Sequence, residues 1–157
     1  MNSDESVSLR QATAVDAEAI HELHVNSVRA LCASSYEPGT IDGWLKGRTS
    51  AGYLRGIAAG VIFVAEVESK IMGFCEAVPG EVVAVFVNPR SSRKGVGTAL
   101  LLRALDISAD TPRPVRLEST LNAVSFYECF GFRQIARSSV RRSDVDVPVV
   151  IMERHAG

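Results

Sequence analysis

The chain is short of most features that would place a protein in a class at sight. It has three cysteines in 157 residues. Cys32, Cys75 and Cys129 are odd in number, far apart and set in apolar segments, so they read as reduced core residues of a reducing compartment. They suggest neither a disulfide framework nor a metal site. No apolar run approaches the ~20 residues of a membrane span, and the opening MNSDESVSLR has no signal-peptide apolar region. Charge of one sign is also missing. Seventeen basic residues face eighteen acidic ones, a formal net charge of −1, which argues against a general nucleic-acid binder with a broad basic surface. Repeats and low-complexity stretches are absent too. What is left is a 46% hydrophobic, 22% charged chain, long enough to bury one real core. The expectation is a cytoplasmic monomer or small oligomer, such as a homodimer, with no membrane or nucleic-acid partner and no metal.

Residues 1–7 read as a flexible N-terminus and 8–154 as one domain. Leu9 to Gln11 forms a short strand. Thr13-x-x-Asp16 resembles a capping box that opens a helix to about Ala33, with Ala17, Ile20, Leu23, Val28 and Leu31 on its apolar side. His21 and His24 ride that helix, read as surface or partly buried positions. Tyr36 to Gly39 is a turn, and short helices follow around Ile41–Leu45 and Ser50–Ala58. From Val61 the period changes to strands: 61–66, 71–78 and 81–87, an antiparallel meander. A helix over 96–109, a strand over 115–119, a helix over 121–130 and strands over 132–142 and 146–154 complete an α+β domain.

The most informative stretch is VFVNPRSSRKGVGTALLLRAL, residues 85–105. A β-branched run stops at Asn88-Pro89, because proline cannot continue a strand ladder. A basic turn with Arg90, Arg93 and Lys94 follows. Gly95 and Gly97 then open an apolar helix carrying Ala99, Leu100, Leu102 and Leu105. Glycine lets backbone N–H groups turn inward, and the helix start adds about half a positive charge. Such a turn suits the oxygens of a pyrophosphate. A P-loop would need lysine before Thr98, and a dinucleotide fingerprint would need glycine where Leu100 stands. A coenzyme A site is the remaining common option.

A second block, VRLESTLNAVSFYECFGF over 115–132, runs from strand to short helix and stops at Gly131. Both blocks resemble the GNAT N-acetyltransferases. The family's [QR]-x-x-G-x-[GA] motif is matched by Ser92-Arg93-Lys94-Gly95-Val96-Gly97 after Val87-Asn88-Pro89, with Ser92 standing where the family usually has Gln or Arg. Its A-x-x-F-Y-E-x-x-G-F pattern is matched by Ala123, Phe126, Tyr127, Glu128, Gly131 and Phe132. The resemblance covers about residues 8–154.

It implies a mixed, mostly antiparallel sheet whose central strands splay, here the strand ending at Val87 and the strand 115–119. Acetyl-CoA would be the cosubstrate, held by main-chain groups of Val85, Phe86 and Val87, by the turn Arg93, Lys94, Gly95, Val96, Gly97 and Thr98, and by Asn122 and Phe126. It further implies direct ternary-complex transfer of acetyl to a primary amine of a small molecule or peptide. Tyr127 would be the general acid toward departing CoA. Glu81 sits where some members place the base, and Glu118 is a second candidate. The region expected to meet the acceptor, residues 20–60, holds Tyr36, Trp44, Arg48, Tyr53 and Arg55. A non-catalytic acyl-CoA sensor is the alternative reading.

Overall fold

A computed structural model describes residues 6–91 and 95–155. β1 (Ser8–Gln11) passes through a 3-10 turn into α1 (Ala17–Leu31). The expected capping box forms on that turn: the Thr13 backbone N–H donates to Asp16 Oδ2 at 2.7 Å. Arg10 also donates to Asp16, at 2.8 and 3.0 Å, and chiefly through this contact holds its carboxyl down at about 2. α2 (Pro38–Leu45) and α3 (Leu54–Ala58) follow, then β2 (Ile62–Val67), β3 (Lys70–Val78) and β4 (Glu81–Val87). The chain continues as α4 (Val96–Ser108), β5 (Val115–Ser119), α5 (Val124–Glu128), β6 (Arg133–Arg142) and β7 (Val145–Arg154).

The seven strands form one sheet in the order β1-β2-β3-β4-β5-β7-β6. Every pairing is antiparallel except β4 with β5. Helices cover both faces. Val96, Leu100, Leu101 and Ala104 of α4 are fully buried against Cys75, Ala77, Val82 and Leu117. On the opposite face, Val28 and Trp44 pack on Val147 and Ile151, while Ile20 and Tyr53 pack on Val64 and Phe74.

Several details differ from the sequence reading. Leu102 points outward at 51% exposure and Leu101 is buried instead, since the buried stripe of α4 follows positions 100, 101, 104 and 105. Cys129 is exposed, whereas Cys32 and Cys75 lie in the core. The expected helix over 121–130 is a 3-10 turn (Leu121–Ala123) joined to the five-residue α5.

β4 does not alternate regularly. Val82 faces Ala77 across the ladder while Ala84 faces Glu76, so Val83 is an extra, bulged residue. The bulge exchanges the faces. Val82, Val85 and Val87 lie toward α4, whereas Ala84 and Phe86 lie toward α1.

α4 can approach β3 closely because residue 73 has no side chain. A Cβ there would sit 2.7 Å from Leu100 Cδ1, 2.8 Å from Val96 Cγ1 and 3.0 Å from the Phe86 carbonyl oxygen. Gly73→Val should therefore overpack this layer and destabilise the fold by about 1–3 kcal/mol. Urea unfolding checks this, the expected result being a lower midpoint with an unchanged m value.

Candidate active site

β4 and β5 meet at one registered pair, Glu81 with Arg116. The Arg116 N–H donates to the Gly80 carbonyl at 3.0 Å. Beyond this point the strands part, and the edge of β4 that faces β5 has no ladder partner. Its main-chain groups open into a cleft, which is unusual for sheet interior backbone. The Val83 bulge supplies the bend, because an extra residue turns its strand and increases the local twist.

Two cavities occupy the cleft, of about 350 and about 310 Å³. They share Val85, Phe86, Thr120, Ala123 and Tyr127. The first opens toward the start of α4 and includes Val85, Phe86, Val87, Gly97, Asn122 and Phe126 from the expected cosubstrate set. A Cβ on Gly97 would lie 3.4 Å from the Phe126 ring, so the glycine keeps this mouth wide. Gly95 adopts φ +76° and is exposed, the left-handed conformation that glycine takes without strain. The Val96 side chain is buried in the core, which leaves only its main chain for a ligand. Thr98 is exposed on α4. Asn88 Oδ1 accepts the Arg90 N–H at 2.9 Å, and the turn there ends β4 as the Asn-Pro pair implied. Ser92, Arg93 and Lys94 lie outside the described residues. Helix α1 adds Ser27 and Leu31, joined by Cys32, the residue that caps its end; burial pushes the Cys32 thiol up to about 11, so it stays protonated at neutral pH.

Tyr127 stands at the junction of the two cavities. It is buried, packed edge-on to Phe126 and Phe132 at ring-centroid separations of 5.2 and 5.8 Å. Desolvation, with a smaller contribution from the Cys75 thiol, raises its hydroxyl pKa well above the ordinary tyrosine value.

The second cavity is charged. Arg48, Glu76, Glu118 and Arg142 line it together with His24 and Tyr53. Glu76 follows Phe74 on the α1 face of β3 and reaches toward α3, where a Cβ on Gly56 would be 3.2 Å from its Oε2. Burial, then the charge of Glu81, raises its carboxyl above the usual range. His24 is buried over Phe86 at 4.2 Å between centroids, and its Nδ1 is 2.7 Å from the Tyr53 hydroxyl. Burial, then the positive charge of Arg48, lowers His24 to about 3, so it is a neutral imidazole at pH 7.

Glu81 is placed elsewhere. It is exposed at the closed end of the V, in a groove with Arg113, Arg116 and Glu153. The Pro79-Gly80 turn puts it where β4 and β5 still touch. Glu118 borders both that groove and the charged cavity, with Arg142 Nη2 at 3.8 Å. Of the expected acceptor region, Trp44, Arg48 and Tyr53 reach the cavity. Tyr36 instead braces the wall: its hydroxyl donates to the Pro148 carbonyl and accepts the Leu121 N–H at 3.0 Å. Glu76 and Arg142 were not singled out from the sequence, and His24, read there as a surface or partly buried position, is buried. Only Glu76 had a local signal, a carboxylate within an apolar strand.

Residues 58–134 match the sequence model of the acetyltransferase (GNAT) domain. The uncharacterized N-acetyltransferase YafP of Escherichia coli is 21% identical over 135 residues, covering 86% of this chain and 87% of YafP. The fold is shared with a GCN5-related N-acetyltransferase of Rhodopseudomonas palustris, at a TM-score of 0.89, 18% identity and 99% and 100% coverage of the two chains. PaiA N-acetyltransferase of Thermoplasma acidophilum, solved in complex with coenzyme A, aligns at a TM-score of 0.75 and 23% identity, covering 96% and 99%. Residues 58–134 thus carry the match to the acetyltransferase (GNAT) domain, and the whole chain shares its fold with the GCN5-related N-acetyltransferase structures.

Proposed function

We propose that the chain is an acetyl-CoA-dependent N-acetyltransferase of the cytoplasm, moving acetyl directly to a primary amine of a small molecule or peptide. The observation that carries this reading is the cleft between β4 and β5, with one half fit for a pantetheine arm, the other charged, and Tyr127 between them. The PaiA complex with coenzyme A and a YncA structure from Salmonella typhimurium with acetyl-CoA support the choice of cosubstrate.

In this reading the free edge of β4 at Val85–Val87 holds the pantetheine amides and polarises the thioester carbonyl. One preorganised N–H facing the tetrahedral oxyanion contributes ~2.7–4 kcal/mol. The first turn of α4, with Gly97, receives the diphosphate; Arg93 and Lys94, which precede that turn in the sequence, are its proposed side-chain partners. Gly97→Val should weaken coenzyme A binding more than tenfold, about 1.4 kcal/mol, and far more than Arg90→Ala. Calorimetry on the two variants checks this; equal affinities would count against the cradle.

Tyr127 is the group that meets the departing sulfur. A tyrosine titrates near ~10 and a thiol near ~8.5, and burial of Tyr127 widens that gap. Complete proton transfer is therefore uphill unless the thiolate is desolvated as well, which raises its proton affinity. Donation of a hydrogen bond to sulfur serves the transition state in either case. Tyr127→Phe should keep the fold and coenzyme A affinity while kcat falls about 10²-fold. Undiminished kcat, measured where chemistry limits the rate, would remove Tyr127 from the mechanism.

A lysine-like amine titrates near ~10.4 and arrives protonated, so a base is needed. Glu76 takes that role, directly or through water, because it borders the charged cavity and its carboxyl is raised. Glu81, the carboxylate favoured by the family resemblance, acts on it through charge. The base works only when ionised, so kcat/KM falls as pH drops through the raised pKa of Glu76, above the ordinary ~4.3. Glu76→Gln should abolish this acid limb and lower kcat by about 10²–10⁴. Glu81→Gln should retain activity and move the limb to lower pH. If Glu81→Gln instead abolishes turnover while Glu76→Gln does not, the base is Glu81.

A further inference from the structure

The charged cavity contains two opposite charges that are not paired with each other. Among the described residues, no acidic oxygen lies within ion-pair distance of half-buried Arg48; its guanidinium faces the Tyr53 hydroxyl, and its Nε is buried with no hydrogen-bond partner. Glu76, on the opposite element, has no ion-pair partner among the described residues either. Arg142 does have one, Glu118 at 3.8 Å. A buried charged donor without a partner is unfavourable, and a ligand that supplies an anion removes that penalty. Arg48 is held in place from its own loop: Trp44 and Leu45, just before it, are buried against β7, and Gly47 turns the chain at φ +76°.

Resting on the N-acetyltransferase reading above, we propose that the acceptor is a zwitterion, a small amine bearing its own carboxylate, with the carboxylate on Arg48 and the amine toward Glu76. A guanidinium fork meets a carboxylate with two parallel hydrogen bonds. A plain amine would leave Arg48 without an anionic partner, and a polyamine would add positive charge beside Arg48 and Arg142. A phosphate group carries about −1.5 to −2 charges at pH 7, too many for one uncompensated guanidinium. The cavity, about 310 Å³, lies at the low end of the roughly 300–1,000 Å³ typical of small-molecule sites, so a free amino acid suits it better than a folded protein surface. The neutral His24, kept deprotonated by burial and by Arg48 and Arg142 nearby, reports the same positive field.

Coenzyme A release is measured with the twenty common L-amino acids, β-alanine and 4-aminobutanoate, each against its carboxamide. The best acid should exceed its amide in kcat/KM by about 10- to 100-fold, the range of one charge-assisted contact. Arg48→Gln should raise KM for the acid by the same factor and leave the amide and coenzyme A affinity unchanged. Arg48→Lys should recover part of the preference. Calorimetric binding of the same pairs to the coenzyme A-saturated protein separates the two claims. Acids that bind better than amides through Arg48 without acetyl transfer uphold the anion contact and sink the transferase reading. Amides that bind and react as well as acids overturn the zwitterion, whether or not some other amine is acetylated. The acid-to-amide comparison on the unaltered chain decides even where a variant does not fold.

Discussion

The functional geometry depends on one omission in the sheet: after Glu81 and Arg116, β4 and β5 stop pairing. Leaving main-chain groups unpaired inside a domain costs about 1–3 kcal/mol each where they are buried. The parted strands are held apart from both sides. β4 is paired along its length with β3, and β5 with β7, so neither can drift inward. The bulge at Val83 bends β4 away, and Phe86, carried to the α1 face, packs against His24. On the other side Tyr36 ties the β7 backbone at Pro148 to the start of the loop at Leu121, fixing the far wall. The cleft is thus a consequence of packing on both faces rather than of a weak strand pair.

Much of this arrangement was legible in the chain because its signals are local. The Asn88-Pro89 stop, the glycines at 95 and 97 and the Phe126-Tyr127 pair each announce a turn or helix end within a few residues. They pointed to the strand–turn–helix order, while the family resemblance implied Val85, Phe86, Val87, Gly97, Asn122 and Phe126, which border one cavity. The charged half was less legible, since it is assembled from the loop after α2, the middle of β3 and the end of β6. Arg48 and Tyr53 were within the segment expected to meet the acceptor, but nothing in their neighbours tied them to Glu76 or Arg142.

The two carboxylates show where pattern reading stops. Glu81 begins a strand after a Pro-Gly turn, a position easily found by eye. Glu76 lies mid-strand, opposite Ala84, next to a register shift that alternation alone does not reveal. With a regular β4, Val82, Ala84 and Phe86 would share one face. The extra residue instead sends Val82 toward α4 and Phe86 toward α1, and it is Phe86 and Phe74 that set the floor over which His24 and Glu76 meet the cavity. The extra residue sets the faces of β4 alone, whereas Glu76 shares the α1 face with Phe74 through the alternation of β3 itself.

The same parting lets one sheet serve two incompatible environments. A departing thiolate takes a proton or hydrogen bond most readily where water is scarce, because desolvation raises its proton affinity. An incoming amine needs the opposite, a charged acceptor for its proton and fixed charges to orient it. Here the apolar half ends at Phe126 and the charged half begins at Glu118, with Tyr127 the buried polar side chain common to both. Holding the reacting groups on the two sides of one rigid strand edge supplies the proximity that direct transfer requires. An added nucleophile on the protein would shorten no distance: the one thiol bordering the apolar half, Cys32, is kept protonated by the same burial that makes this half suitable for the thioester.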